Sequence, residues 1–338
     1  QFQTSLWNGN SSTQTITQSG NSIFTPGLIW SKSRDALQEH VIFDQVRGTT
    51  KYIEPDNTGA EGTQSGVTAF NSDGFDLGSW AVSNGTGQTH VGWQWKANGA
   101  GSSNTDGSIT STVSNNSTAG FSIGTYTGIA TGPGDAPGTV GHGLGISPGM
   151  IIIKDLTAAT EWYVWHQGMS NPAQSFIYLN TTGAAQTSTA TWNNTAPTSS
   201  VFSIGWDTNI NTFGNSHVFY AFAEIPGYSS IGSYAGNSST NGTFVYCGFK
   251  PAFIMTKRTD STSDWTIEDT TRSTFNLVEN ALFPNLTSAE DTTGDRMDIL
   301  SNGFKLRTTA QPNVGTLIYM AFSENPFGGD GAAPATAR

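Results

Sequence analysis

Pro26-Gly-Leu-Ile-Trp-Ser-Lys32, Pro148-Gly-Met-Ile-Ile-Ile-Lys154 and Pro251-Ala-Phe-Ile-Met-Thr-Lys257 are one pattern met three times in a chain of 338 residues. Each copy is a proline, an apolar run and a lysine six positions on. Proline is tolerated at the first position of a strand, so each copy predicts a β-strand. A second short strand follows in each case: His40-Val-Ile-Phe-Asp44, Trp162-Tyr-Val-Trp-His166 and Trp265-Thr-Ile-Glu-Asp269. Then comes a polar turn four residues before a small residue: Asp56 to Ala60, Asn180 to Ala184 and Asn285 to Ala289.

The distal halves agree as well. Asp73-Gly-Phe-Asp-Leu77, Ser200-Val-Phe-Ser-Ile204 and Asn302-Gly-Phe-Lys-Leu306 share a central Phe. Each copy closes on an aromatic-rich strand: Val91-Gly-Trp-Gln-Trp95, Val218-Phe-Tyr-Ala-Phe222 and Ile318-Tyr-Met-Ala-Phe322. Opening strands precede the prolines at Trp7-Asn-Gly9, Tyr126-Thr-Gly128 and Tyr234-Ala-Gly236. Apolar segments are short, alternate with period two and end in Gly, Asn, Asp or Ser, which is the signature of strands and turns. Landmarks in fixed order at similar spacing mark an internal repeat.

These observations predict an all-β chain of three tandem related β-sandwich units, jelly-roll or lectin-like. The units run over 1–98, 118–226 and 227–327. Residues 99–117 form a linker with one possible strand, Ser108 to Val113, and 328–338 a flexible tail. Alternation such as Phe304/Lys305/Leu306 predicts sheets with one buried and one wet face. Ten Trp, nine Tyr and nineteen Phe supply the large side chains of the cores.

Only 12% of residues are charged, and 14 Lys+Arg against 25 Asp+Glu leave a net charge of −11. Scattered cations on an acidic chain argue against nucleic acid, which needs a concentrated positive patch. No apolar run nears the ~18 residues of a membrane helix, so no membrane insertion is expected. Gln1-Phe2-Gln3 opens no signal-peptide pattern. The single Cys247 permits neither an internal disulfide nor a thiolate zinc site.

Catalytic chemistry finds little footing. His40, His90, His142, His166 and His217 show no metal-ligand spacing. Gly141-His-Gly-Leu-Gly145 opens a strand, not the helix that a phosphate loop requires. Glu61, Asp155, Glu161, Glu268 and Asp269 include no pair singled out for glycoside cleavage. Glu268 stands opposite Phe43 and Trp165 of the sister copies, and a solvent-facing strand position is expected for it. The loops Asn71 to Asp76 and Gly132 to Gly138 offer oxygen atoms, but neither has three acids at alternate positions, so turn chemistry is expected rather than calcium. No catalytic, cofactor-binding or metal residue is therefore expected. Trp80, Trp93, Trp192 and Trp206 lie in or near loops and are the candidate glycan contacts, because a ring face stacks on the apolar side of a sugar.

Phe43-Asp-Gln-Val-Arg-Gly-Thr-Thr-Lys-Tyr52, Phe70-Asn-Ser-Asp-Gly-Phe-Asp-Leu-Gly78, Tyr178-Leu-Asn-Thr-Thr182, Val140-Gly-His-Gly-Leu144 and the ending Ala321-Phe-Ser-Glu-Asn-Pro-Phe327, with the first proline run, resemble a family of virion proteins of marine bacteriophages, including those of cyanobacteria and pelagic bacteria. The resemblance covers nearly the whole chain. It implies a structural protein exposed on the particle: a tail fibre, head fibre or decoration subunit, localised to the virion and partnered by other virion proteins. A homo-oligomer is expected, a trimer by analogy with phage fibres. The alternatives are an adhesion module binding a host-surface glycan and, third, a polysaccharide-degrading enzyme.

Overall fold

The computed structural model describes residues 1–20 and 23–323. In the first stretch the strands are β1 (Phe2–Asn8), β2 (Gln14–Thr17), β3 (Leu28–Ser33), β4 (Val41–Asp44), the short pair β5 (Lys51–Tyr52) and β6 (Gly62–Thr63), β7 (Val67–Asn71), β8 (Gly74–Leu77) and β9 (Thr89–Trp95). One turn of helix, α1 (Ala81–Asn84), precedes β9. β1-β9-β3-β4 form one sheet and β2-β8-β7 a second. Trp7, Ile29, Phe43, Val67, Phe75 and Leu77 from both sheets pack between them, so the stretch is a sandwich.

The second stretch holds β10 (Ser102–Asn104), β11 (Ser111–Asn116), β12 (Phe121–Thr127), β13 (Gly138–Gly141), β14 (Met150–Asp155), β15 (Tyr163–His166), β16 (Ser175–Tyr178), β17 (Gln186–Thr187), β18 (Val201–Ile204) and β19 (Ser216–Phe222). The helical turns α2 (Thr189–Trp192) and α3 (Thr208–Asn211) flank β18. The third stretch holds β20 (Ser229–Ala235), β21 (Phe244–Tyr246), β22 (Phe253–Arg258), β23 (Trp265–Asp269), β24 (Met297–Leu300), β25 (Gly303–Leu306) and β26 (Thr316–Phe322).

The first sheet's order recurs as β12-β19-β14-β15 and as β20-β26-β22-β23, and the second sheets are β13-β18 and β21-β25-β24. Each of these stretches also has its own core between its two sheets. The expected linker is no linker. Its residues form β10 and β11, and β11 pairs along β12 from Ser111 to Asn116, extending that sheet to eight strands. The expected flexible tail, and the end of the third unit beyond Ser323, lie outside the described residues.

The expectation of one wet face is overturned for the three principal sheets. Every residue of β3, β4, β14, β15 and β23 is buried. Alternation sends Ile29, Ile151 and Ile254 into the three sandwich cores. It sends Leu28 and Trp30, Met150 and Ile152, and Phe253 and Met255 into one further core shared by all three stretches. The second face of each sheet is thus covered by the other two sheets, where water was expected.

Backbone hydrogen bonds join the three stretches pairwise. Glu61 N–H donates to Leu156 O (3.0 Å), Ala185 N–H to Thr259 O (2.9 Å) and Glu290 N–H to Arg34 O (2.7 Å) across the three interfaces, and Thr160 N–H to Thr58 O (3.1 Å) and Ser263 N–H to Thr182 O (2.9 Å) add a second bond at two of them. Trp162 Nε1 of the second sandwich donates to Glu54 O and Asn57 O of the first, at 3.0 and 3.1 Å. Trp265 Nε1 of the third donates to Tyr178 O of the second at 2.9 Å. His40, which stands in the place of those tryptophans in the first sandwich, accepts at Nδ1 from Trp30 Nε1 at 3.0 Å.

Candidate functional site

The densest chemistry among the described residues sits where the sandwiches meet. At the end of β4, Asp44 Oδ2 accepts from Arg47 Nε (2.6 Å) and from Tyr220 OH of the second sandwich (2.7 Å). Arg47 also donates to Ile42 O at 2.9 Å and lies 3.4 Å from Glu61. At the end of β23 the same set returns. Asp269 Oδ2 accepts from Arg272 Nε (2.5 Å) and from Trp93 Nε1 of the first sandwich (2.9 Å). Arg272 donates to Ile267 O and to Glu290, both at 2.8 Å. Glu290 reaches on to Arg34 at 2.7 Å.

Burial works against the Arg47 charge, but the Asp44 carboxylate beside it outweighs that and holds the guanidinium above its ordinary range. Removing water from a charge is expensive unless a partner and further hydrogen bonds replace it. Here most of those bonds are present, which describes a lock between sandwiches; a reactive group needs an accessible atom.

The third interface has no such charges. Its equivalent positions hold His166 for the aspartate and Met320 for the donor ring by strand register, Met169 for the arginine three residues on, and Ala185 for the glutamate by its interface hydrogen bond. His166 Nε2 lies 3.1 Å from Tyr319 O, and its Nδ1 accepts from Gly168 N–H at 3.0 Å. Burial pushes its pKa down to about 4, so the ring is neutral at pH 7. Methionine cannot donate to a carboxylate, so a neutral ring where the others have Asp avoids an uncompensated buried charge.

Sequence reasoning noted the His166 exchange but missed Arg47, Arg272 and Glu290. The available signal was Asp-x-x-Arg at 44–47 and 269–272, in register within two copies.

The other singled-out acids are not brought together as a pair. Asp155 accepts from Asn215 Nδ2 (2.7 Å) and lies 3.6 Å from buried His217. Glu161 is bonded to Asn180. In the two loops considered for calcium, Asp76 accepts from Thr15 and Asn71, and Asp135 caps Thr131 and Gly132. Among the described residues no group of three metal-ligating side chains forms. Lys32, Lys154 and Lys257 are buried, each with Nζ donating to the carbonyl of the next residue, the last of its strand, and to one carbonyl outside that strand. Burial lowers each of them to about 8.

Glu268 corrects its expectation: it is buried, not solvent-facing. Oε2 accepts from Thr266 at 3.2 Å, and Oε1 has no hydrogen-bond partner. Burial pushes its carboxyl up to about 7, against the pull of Arg296. A folded-state pKa above the unfolded one means stability fully present below about 4.5 and lost as pH rises through about 7. Glu268→Gln is therefore expected to gain on the wild type between pH 5 and pH 8, by on the order of 2 kcal/mol. Urea midpoints of both chains at the two pH values check this. An offset unchanged by pH would contradict it.

Two of the four candidate glycan contacts are corrected. Trp93 points into the shared core with its Nε1 on Asp269, and Trp192 is buried with its Nε1 on Ser175 O (2.9 Å). Neither has a ring face open to a sugar. Trp80 is half-buried against Tyr52, ring centroids 4.4 Å apart. Trp206 is 38% exposed, directly before the Asp207 that caps α3 and bonds Thr191 and Asn209.

The profile of a family described as "Domain of unknown function (DUF7483)" matches residues 1–326. No curated protein and no solved structure matches the chain.

Proposed function

This chain belongs to the DUF7483 family, and we propose that it is a non-catalytic structural component of a bacteriophage virion, exposed on the particle and acting by assembly. The finer reading of the fold is part of this proposal: three copies of one β-sandwich unit, closed into a ring within one polypeptide. The observation that carries it is the shared core, in which three sheets bury their second faces on one another. Such a body is stiff, and with 12% charged residues much of its surface can be covered by a neighbour at small ion-desolvation cost. The phage assignment rests on the resemblance of the sequence runs. Mass spectrometry and labelling of purified particles test it: the chain is expected in fixed ratio to the capsid protein and accessible on intact particles, and its absence from particles would overturn the reading.

A second reading, glycan adhesion, is favoured by Trp206 alone. If it holds, Trp206→Ala abolishes glycan-array binding, while Trp80→Ala, whose ring is engaged by Tyr52, reduces it little. Binding that survives Trp206→Ala would end this reading.

A further inference from the structure

The outer edge of the second sandwich's small sheet is filled by the chain itself. Ile109 N–H donates to Thr139 O (2.9 Å), Ser108 N–H to Thr139 Oγ1 (2.8 Å), and Ser111 Oγ to Gly141 O (2.9 Å). Thr139 and Gly141 of β13 therefore turn their backbone groups outward, and an extended segment satisfies them. In the third sandwich, by register, Phe244 and Tyr246 of β21 take those two places. Leu306 N–H donates to Thr243 O and Cys247 N–H to Asn302 O, so residues 243 and 247 face β25. By alternation the backbone groups of Phe244 and Tyr246 face away from the sheet. β21 is an edge, with no strand paired on that side among the described residues. Both rings stand on the outer surface, 43% and 66% exposed, on either side of buried Val245.

Natural edge strands are blunted by charge, proline or a bulge. β21 and its flanks, Thr243 to Cys247, carry no charge and no proline. In the first sandwich the same two places hold Thr15 and Thr17.

We infer that β21 is a homotypic assembly edge: a second copy of this chain pairs its own β21 antiparallel across a two-fold axis at Val245, joining two three-stranded sheets into one of six. The inference deepens the assembly reading above and rests on it. A two-fold contact requires one patch to complement itself, and this one does. Phe244 of one copy lies opposite Tyr246 of the other, so their outward N–H and C=O groups are exchanged and their rings meet as cross-strand aromatic pairs.

Charge favours the same occupant. In a chain of net charge −11, neither β21 nor neighbouring β25 carries an acid. The two copies of Lys305 would stand three strand spacings apart, roughly 14 Å, beyond the ~8 Å screening length at physiological salt.

A contact of three-residue strands is small, so the expected dissociation constant is on the order of 10–100 µM. Sedimentation velocity of the full chain from about 5 to about 200 µM tests it alongside two variants. Tyr246→Pro removes an outward N–H and no bond within the sheet. The double variant Phe244→Thr/Tyr246→Thr installs the residues of the first sandwich. The wild type is expected to pass from monomer to dimer, and each variant to weaken the dimer at least about tenfold. A wild-type chain that stays monomeric throughout overturns the inference. So does a dimer unchanged in both variants, which would leave assembly through another face standing; the particle measurement is read independently of either result.

Discussion

Trp95→Ala is expected to cost about 3–5 kcal/mol and to destabilise all three sandwiches together. The Trp95 ring lies 5.1 Å from Phe2, 6.4 Å from Phe121, 6.0 Å from Phe222, 5.5 Å from Phe253 and 5.7 Å from Phe322. Those rings come from all three stretches. Truncation opens a cavity that none of the surrounding sheets can close alone, because each is held by its own sandwich on its far side. Against a typical total of 5–15 kcal/mol the loss is large. Guanidinium unfolding followed by far-UV circular dichroism and by Trp fluorescence should show one coincident transition, moved to lower denaturant in the variant. A variant that melts in two steps, with two sandwiches keeping the wild-type midpoint, would show that the shared core does not couple them.

The second large effect concerns the interface charges. Arg47→Met leaves Asp44 buried beside Tyr220 without its cation, and is expected to cost about 3–5 kcal/mol. The fourfold replacement Asp44→His, Arg47→Met, Glu61→Ala and Tyr220→Met installs the set that the third interface already carries: His166, Met169, Ala185 and Met320. Because no unpaired charge is then left inside, it is expected to cost less than Arg47→Met alone. Additivity fails between groups that share partners, and the difference between the fourfold variant and its parts measures that coupling. Urea midpoints of the single and fourfold variants decide the matter. A fourfold variant as unstable as the summed single changes would mean that the three interfaces are not interchangeable solutions to one packing problem.

The all-β character and the strand positions were readable in the sequence, because period-two alternation, turn residues and entry prolines act within a few residues of one another. The fates of Trp93, Trp192 and Glu268 were not. Alternation tells a side chain which of two faces it joins, but not whether that face meets water, a facing sheet or a neighbouring sandwich. Residues 99–117 show the same limit from the other side: their Gly, Ser, Asn and Thr read as a linker, yet pairing with β12 makes strands of them.

By itself, then, the sequence determined an alternating β-chain, sets of short strands and the aromatic residues to fill their cores. Tertiary structure alone decided that these sets close on one another, burying faces that local pattern left to solvent. It also brought Tyr220 to Asp44 and Trp93 to Asp269 across 176 positions of chain. Such meetings depend on which surfaces of separately formed sheets fit together, a property that no short stretch of sequence contains.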